Sequence, residues 1–182
     1  MRRTLTRDVP WLRELLVDER VRRTTLQRRS GAWQSWVEAY LGVRCNDARW
    51  AIVEKRSGEG LGWILFDDWS HPPLPSIGFE LRPAYWNRGF MTEALRAAVE
   101  HRLEARGDPA LRGVVFDGNR ASRRVFEKCG FRLVMAGPYE GHSCVFYQLD
   151  RLPRHDGGVA DLHASLAGGQ HLAGVEPALR IK

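Results

Sequence analysis

From Ile77 to Ala94 the sequence reads Ile-Gly-Phe-Glu-Leu-Arg-Pro-Ala-Tyr-Trp-Asn-Arg-Gly-Phe-Met-Thr-Glu-Ala: a strand-like run, a glycine-centred loop and a helix start. Main-chain N–H groups in a helix's first turn have no partner within the helix and sit at the positive end of its dipole. A strand–loop–helix of this kind is a ready seat for an anion, and Gly89 would let a phosphate approach the backbone closely. Arg88 and the Thr92 hydroxyl add donors to the same stretch. The other reading of these residues alone is an ordinary strand-to-helix turn around a glycine.

Such a loop needs a strand before it and a helix after it. Ser76–Leu81 has the pattern of the strand, stopped by Pro83. Met91, Leu95, Ala98, Val99 and Leu103 trace one helical face, which Gly107 ends. Upstream, residues 2–6 suggest a short strand, and Asp8 reads as the cap of a helix with Pro10 in its first turn. Trp11, Leu12, Leu15 and Leu16 then recur at helical spacing, and Trp33, Trp36, Val37, Tyr40 and Leu41 repeat the pattern. Trp50–Glu54 and Leu61–Phe66, joined by Ser57–Gly60, read as a hairpin, and Asp67–Pro75 as a loop.

Downstream, Leu111–Phe116 is a strand, Asp117-Gly118 a turn, and Asn119 the cap of a helix in which Ala121, Val125 and Cys129 line up. Phe131–Met135 and Cys144–Leu149 are closing strands, with Ala136-Gly137-Pro138 as their turn. Strands followed by helices, with hairpins on either side, indicate an α/β fold with a mixed sheet flanked by helices. The pattern fades after residue 151. Residues 1–151 therefore form one domain, and residues 152–182 have the composition of a disordered tail whose histidines (His155, His163, His171) lack a ligand spacing. If the tail does pack, completing a homodimer is one role for it.

The 182 residues and 20.8 kDa leave room for one ordinary domain, and 43% hydrophobic residues suffice for its core. No run approaches the roughly 18 apolar residues that span a bilayer, and no secretory pattern follows Met1. Cys45, Cys129 and Cys144 form no CxxC pair, which argues against a disulfide framework or a metal site and suits a reducing, cytoplasmic compartment. The net charge of +6 is uneven: residues 1–50 and 81–132 each carry eleven basic and six acidic groups, whereas residues 51–80 carry two and five. Nucleic acid, a phosphate-bearing cofactor or plain solvated surface could each produce two basic blocks around an acidic one. Only Lys55, Lys128 and Lys182 among the 28 basic residues are lysines, a bias better ascribed to genome composition than to selected phosphate contacts.

The segment Ile77–Ala94 resembles the acyl-CoA signature of the GNAT superfamily of N-acetyltransferases, in the RimJ/RimL-like form I-G-x-x-L-x-P followed by W-x-[KR]-G-[YF]-x-T-E-A. Asn119–Phe131 resembles the N-x-A-S…E-K-x-G-F helix of the same branch. The resemblance covers roughly residues 2–151, with a shortened first strand. It implies a twisted mixed sheet whose two central strands splay apart, and acetyl-CoA lying in the opening as acyl donor, with no metal. The pyrophosphate would rest on Trp86, Asn87, Arg88, Gly89, Phe90, Met91 and Thr92. Phe79 and Leu81 would offer main-chain groups to the pantetheine arm, Asn119 would contact it from the other side, and Ser122 would stand near the sulfur. The basic block 81–132 then answers to cofactor phosphates without nucleic acid, and Asp67, Asp68 and Glu80 would face a cationic amine.

An amine attacks a thioester only when neutral, a state an α-amino group (pKa ≈ 7.7–8.0) reaches more easily than a lysine (≈ 10.4). A carboxylate can take the proton, a main-chain N–H can stabilise the oxyanion, and a hydroxyl can protonate the leaving thiolate. Glu80 is the candidate base, against the alternative of a solvent-facing strand residue. Ser122 is the candidate acid by its place in the motif, against a serine that only supports capping. Phe126 stands where the wider superfamily often has a tyrosine acid, and Met91 where a small residue is common, so Met91 should crowd the loop unless it points into the core. Trp33, Trp36 and Tyr40 read as a helix face on the sheet or as acceptor-pocket lining. Arg20, Arg22, Arg23, Arg28 and Arg29 read as a solvated helix end or a surface for RNA or an acidic protein. Tyr139 and His142 lie in a loop that could reach the site. The expected activity is acetyl transfer to a primary amine, either a protein N-terminus or a small molecule such as a polyamine, amino acid or aminoglycoside. A non-catalytic acyl-CoA sensor and an RNA-binding protein are the competing classes.

Overall fold

A computed structural model of the chain describes residues 1–25, 49–67 and 75–152. The strands β1 (Arg2–Arg3), β2 (Arg49–Val53), β3 (Gly60–Asp67), β4 (Ser76–Leu81), β5 (Ala110–Phe116), β6 (Arg132–Tyr139) and β7 (His142–Asp150) form one seven-stranded sheet in the order β1-β2-β3-β4-β5-β7-β6. Among the described residues four α-helices pack around it: α1 (Val9–Val17), α2 (Glu19–Arg22), α3 (Phe90–Glu100) and α4 (Arg120–Lys128). Every neighbouring pair is antiparallel except β4 and β5, which the α3 crossover makes parallel.

Side chains alternate across a strand, and the sheet buries both faces at β3, whereas the edge strand β6 is largely exposed. Ile64, Phe66, Ile77, Leu81 and Leu111 meet Met91, Ala94, Leu95 and Ala98 of α3 on one side. The small Ala94 and Ala98, both fully buried, fit α3 between those larger side chains. On the other side Trp63 packs with Leu12, Leu15 and Leu16 of α1 and with Val21 of α2.

The structure corrects three local expectations. The first strand is only Arg2–Arg3, followed by a 3-10 turn at Thr6–Asp8. Asp8 precedes α1 but does not cap it: its carboxylate accepts from the Leu5 N–H at 2.7 Å, from Arg2 at 2.6 and 2.7 Å, and from the Trp11 indole at 3.1 Å. Ala136-Gly137-Pro138 lie inside β6, where Pro138 faces Ser143; on an edge strand the missing proline N–H interrupts no ladder. The turn itself is Glu140-Gly141, with φ of 49° and 77° at its two positions, the geometry of a two-residue hairpin loop. In α4 Phe126 is fully buried, while Val125 and Cys129 are partly buried and pack against the core. The helix expected over Trp33–Leu41, Arg28 and Arg29, Cys45, Asp68 and the tail from 153 lie outside the described residues.

Candidate active site

Among the described residues, strands β4 and β5 pair only at Ser76 and Arg112, where the Arg112 N–H donates to the Pro75 carbonyl at 2.9 Å. Beyond that pair the two strands diverge. The Arg82 N–H donates to Leu61 across the β3 side at 2.8 Å, so the strand's period of two turns the main-chain groups of Phe79 and Leu81 the other way, into the opening. A cavity of about 340 Å³ occupies this opening.

One wall is the loop between β4 and α3. A 3-10 turn at Pro83–Tyr85 reverses the chain, and the Trp86 indole donates back to the Leu81 carbonyl at 2.7 Å. Asn87 and Gly89 both take positive φ, 58° and 85°. That is costly for most residues and tolerable for asparagine and glycine. Gly89 leads directly into α3 with no side-chain cap, so the N–H groups of the first turn face outward for a ligand. A Cβ on Gly89 would meet nothing within 4 Å; the space before the helix end is open. Met91 is buried at 6% exposure and packs into the core, which removes the expected crowding. Thr92, Asn87 and Phe90 line the cavity with Gly89. Arg88 is not in the lining: its guanidinium lies over the rings of Tyr85 and Phe90, at 5.5 and 5.0 Å.

The opposite wall is α4. Asn119 caps it, its side-chain oxygen accepting from the Ser122 N–H at 3.1 Å. The Asn119 amide also donates to the Thr24 carbonyl at 3.3 Å, tying the end of the α2 segment to α4. Capping therefore falls to Asn119, and Ser122 stands in the cavity wall beside Ala121 and Val125. The sequence reading missed Arg124 and Lys128, which line the same wall. Their signal was present: positions 121, 124, 125 and 128 share a helical face with Ser122. Phe126 points away into a ring cluster with Phe79, Phe131 and Tyr147. Tyr139 and His142 flank the β6–β7 turn and are not part of the lining. Of the acidic residues expected on the acceptor side, Glu80 lines the cavity, whereas Asp67 pairs with Ser76 at the other end of β4.

Glu80 is half-buried in the cavity wall rather than solvent-facing. Burial pushes its carboxyl up to about 7, against the opposing pull of a hydrogen bond from the Trp63 indole. A carboxylate near neutrality is fit to take a proton and release it again. The arginines of α2 are engaged with acids of their own segment: Arg20 with Asp18 at 2.7 Å, Arg22 and Arg23 with Glu19 at 3.4 and 3.3 Å. Among the described residues no group of three or more His, Cys, Asp and Glu could hold a metal ion, and no helix is long and apolar enough to cross a membrane.

Residues 1–132 match the family described as "Acetyltransferase (GNAT) domain". Over 85 residues the chain is 33% identical to an uncharacterized N-acetyltransferase, YoaA, of Bacillus subtilis (strain 168), a stretch covering 46% of this chain and 48% of that one. The match thus spans about half of that relative's length. Among solved structures, an acetyltransferase (GNAT family) from Bacillus anthracis superposes with a TM-score of 0.71 at 17% identity, over 82% of this chain and 93% of that one. The aminoglycoside acetyltransferase AAC(6')-Ib in complex with coenzyme A superposes with a TM-score of 0.65 at 19% identity, over 82% and 93% of the two chains.

Proposed function

This chain belongs to the GNAT acetyltransferase family, and from that membership and the geometry of its cleft we propose that it transfers an acetyl group from acetyl-CoA to a primary amine. One observation carries the reading: the uncapped first turn of α3 and the carboxylate of Glu80 line the same cavity, in the gap between β4 and β5. The residues present fit the donor. The open space at Gly89 and the outward N–H groups suit a pyrophosphate, and Arg124 and Lys128 add positive charge to the facing wall. Acetyl-CoA supplies the activated acyl group as a thioester.

In this reading the N–H groups of Phe90, Met91 and Thr92 bind the donor's phosphates. The main-chain groups of Phe79 and Leu81 hold its arm; the Leu81 carbonyl already accepts from Trp86, which leaves its N–H for this role. Ionised Glu80 takes one proton from the acceptor's ammonium, freeing the nitrogen lone pair for the new N–C bond. As the C–S bond breaks, Ser122 delivers its hydroxyl proton to the sulfur and regains one from the solvent that takes the second amine proton. One proton is released overall. Phe126 has no proton to give and does not face the cavity.

An α-amino acceptor is favoured, because a carboxyl at about 7 is closer in pKa to an α-amine than to a lysine or polyamine nitrogen. The RimJ/RimL-like motifs Trp86–Ala94 and Asn119–Phe131 support the same preference for a protein N-terminus. The free thiols of Cys129 and Cys144 are in keeping with a reducing, cytoplasmic setting. The deciding experiment is release of free thiol from acetyl-CoA against N-terminal peptides, polyamines, amino acids and aminoglycosides. Turnover with peptides supports the reading, and turnover confined to small amines moves the acceptor class. A rise in melting temperature with CoA but no turnover on any amine would make the protein a sensor.

A further inference from the structure

Trp63 lies directly opposite Glu80 in the antiparallel pairing of β3 and β4, on the sheet face that α1 covers. Its ring is 2% exposed, clasped by Leu12, Leu15, Leu16 and Val21, with Trp11 packed alongside. A ring held on that many sides cannot turn, so the direction of its N–H is set by the core. That N–H donates to Oε2 of Glu80. A buried indole usually finds an acceptor; here the acceptor is the carboxylate on the cavity wall.

We propose that Trp63 is a positioning residue for acetyl transfer: its indole N–H fixes Oε2 of Glu80, so that Oε1 is presented to the acceptor amine. The inference rests on the reading of Glu80 as the base. It extends the site one strand deeper than the cavity wall, since Trp63 is not among the lining residues.

The same bond has an electrostatic consequence. A donor to the ionised form favours that form, so the indole opposes the burial that pushes Glu80 up to about 7. Other charges around Glu80 are either elsewhere on the wall or already engaged. Arg124 and Lys128 line the cavity from α4. On α1, Arg13 is exposed and Glu14 accepts from Arg82 at 2.7 Å. On α2, Glu19 holds Arg22 and Arg23, and Arg20 holds Asp18. Asp67 of β3 stands at the far end of the strand pair, and Arg112 of β5 donates to Gln148. Removing the indole N–H therefore leaves burial as the dominant influence on Glu80, and its titration moves upward.

The test compares kcat/KM from pH 5.5 to 9.5 in the wild type, Trp63→Phe and Glu80→Gln, with the best amine from the thiol-release panel. The wild type should lose activity on the acid side of about pH 7. In Trp63→Phe that limb should move up by about one pH unit, the size of one hydrogen bond to a charged group, and activity should largely return by pH 9.5. In Glu80→Gln the limb near pH 7 should disappear, leaving only the acceptor amine's own ionisation, which is titrated separately on the free amine. A loss in Trp63→Phe that is equal at every pH, with the limb unmoved, would show a packing role alone and overturn the proposal. A limb near pH 7, distinct from the free amine's own pKa, that persists in Glu80→Gln would instead remove the base reading itself. A second measurement needs neither turnover nor a Trp63 variant. In protein labelled with ¹⁵N-tryptophan, one indole N–H resonance should titrate near pH 7 in the wild type and stay fixed in Glu80→Gln; absence of any titrating indole resonance in the wild type overturns the proposal.

Discussion

The ring of Phe126 presses on the backbone of Gly113, so that a Cβ at Gly113 would stand 2.3 Å from the ring's Cζ. The tip of the ring therefore points at β5, with no room for a hydroxyl, and no side chain rooted at 126 in this rotamer reaches the cleft. Gly113→Ala should overpack this contact and lower stability by about 1–3 kcal/mol, read as a drop in melting temperature. Phe126→Tyr should destabilise likewise and give no gain in kcat. A more active Phe126→Tyr would mean that the ring can swing into the cleft.

Gly89→Ala separates strain from ligand contact. Nothing lies within 4 Å of the added methyl, but the φ of 85° is left-handed, so the variant should lose about 1–2 kcal/mol of stability. Gly89→Glu sets bulk and like charge in the open space and should abolish CoA binding. Melting temperature against CoA concentration measures both, because the ligand-induced rise follows the ratio of concentration to Kd. A normal CoA-induced rise in Gly89→Glu would place the phosphates elsewhere.

Glu80 should be a burden on the fold as well as a tool. Its carboxyl is raised to about 7, so the folded state holds a proton that the unfolded chain releases near 4.3. Stability is then greatest at acid pH and falls as pH rises from the unfolded value through about 7. Glu80→Gln, whose amide oxygen can still accept from Trp63, should unfold at higher temperature than the wild type at pH 8, with a gain of at most about 3 kcal/mol. That advantage should fade by pH 5. Equal melting temperatures of the two proteins at pH 8 would show that the carboxylate is not held desolvated.

Asp8 gives the opposite dependence. Burial alone would raise its carboxyl, but hydrogen bonds from Arg2, the Leu5 N–H and the Trp11 indole, with the charge of Arg2, hold it below its usual value. A depressed folded pKa contributes stability above the unfolded value near 3.9 that is lost as pH falls through the folded one. Asp8→Asn should cost about 2–3 kcal/mol at pH 7, and the difference from the wild type should shrink below about pH 4.

Ser122→Ala tests the acid. Its kcat should fall ~10²-fold with little change in CoA affinity, since the cap of α4 belongs to Asn119. Full activity in this variant would mean that water protonates the sulfur.

Strand alternation and helical spacing made the central sheet, α1 and α3 legible from residue types alone. The errors came where a residue's usual meaning depends on place. Pro138 signals a turn unless its strand is at an edge, and Glu140 signals none although it takes φ of 49°. The alignment of Ala121 and Val125 marks one face of a helix, but spacing alone does not say what that face meets; both residues line the cavity. The motif around Gly89 placed the loop correctly, yet Arg88 turns onto its own neighbouring rings while Arg124 and Lys128 line the facing wall. The partnership of Trp63 with Glu80 depends on register between strands, which no local pattern encodes.

Among the described residues, the single pairing of Ser76 with Arg112 makes the sheet two half-sheets, β1–β4 and β5–β7, sewn by one stitch. Little in the strands fixes the angle between the halves; the helices packed across them must do so. A ligand bonded to β4 on one side and touching α4 on the other would act as a second stitch at the open end of the seam. Without it the halves should breathe about Ser76 as a pivot, and amide exchange in Phe79 and Leu81 should be fast beside the fully laddered β3. A molecule lying in the gap is then part of the architecture for as long as it stays, and its departure returns the two halves to independent motion.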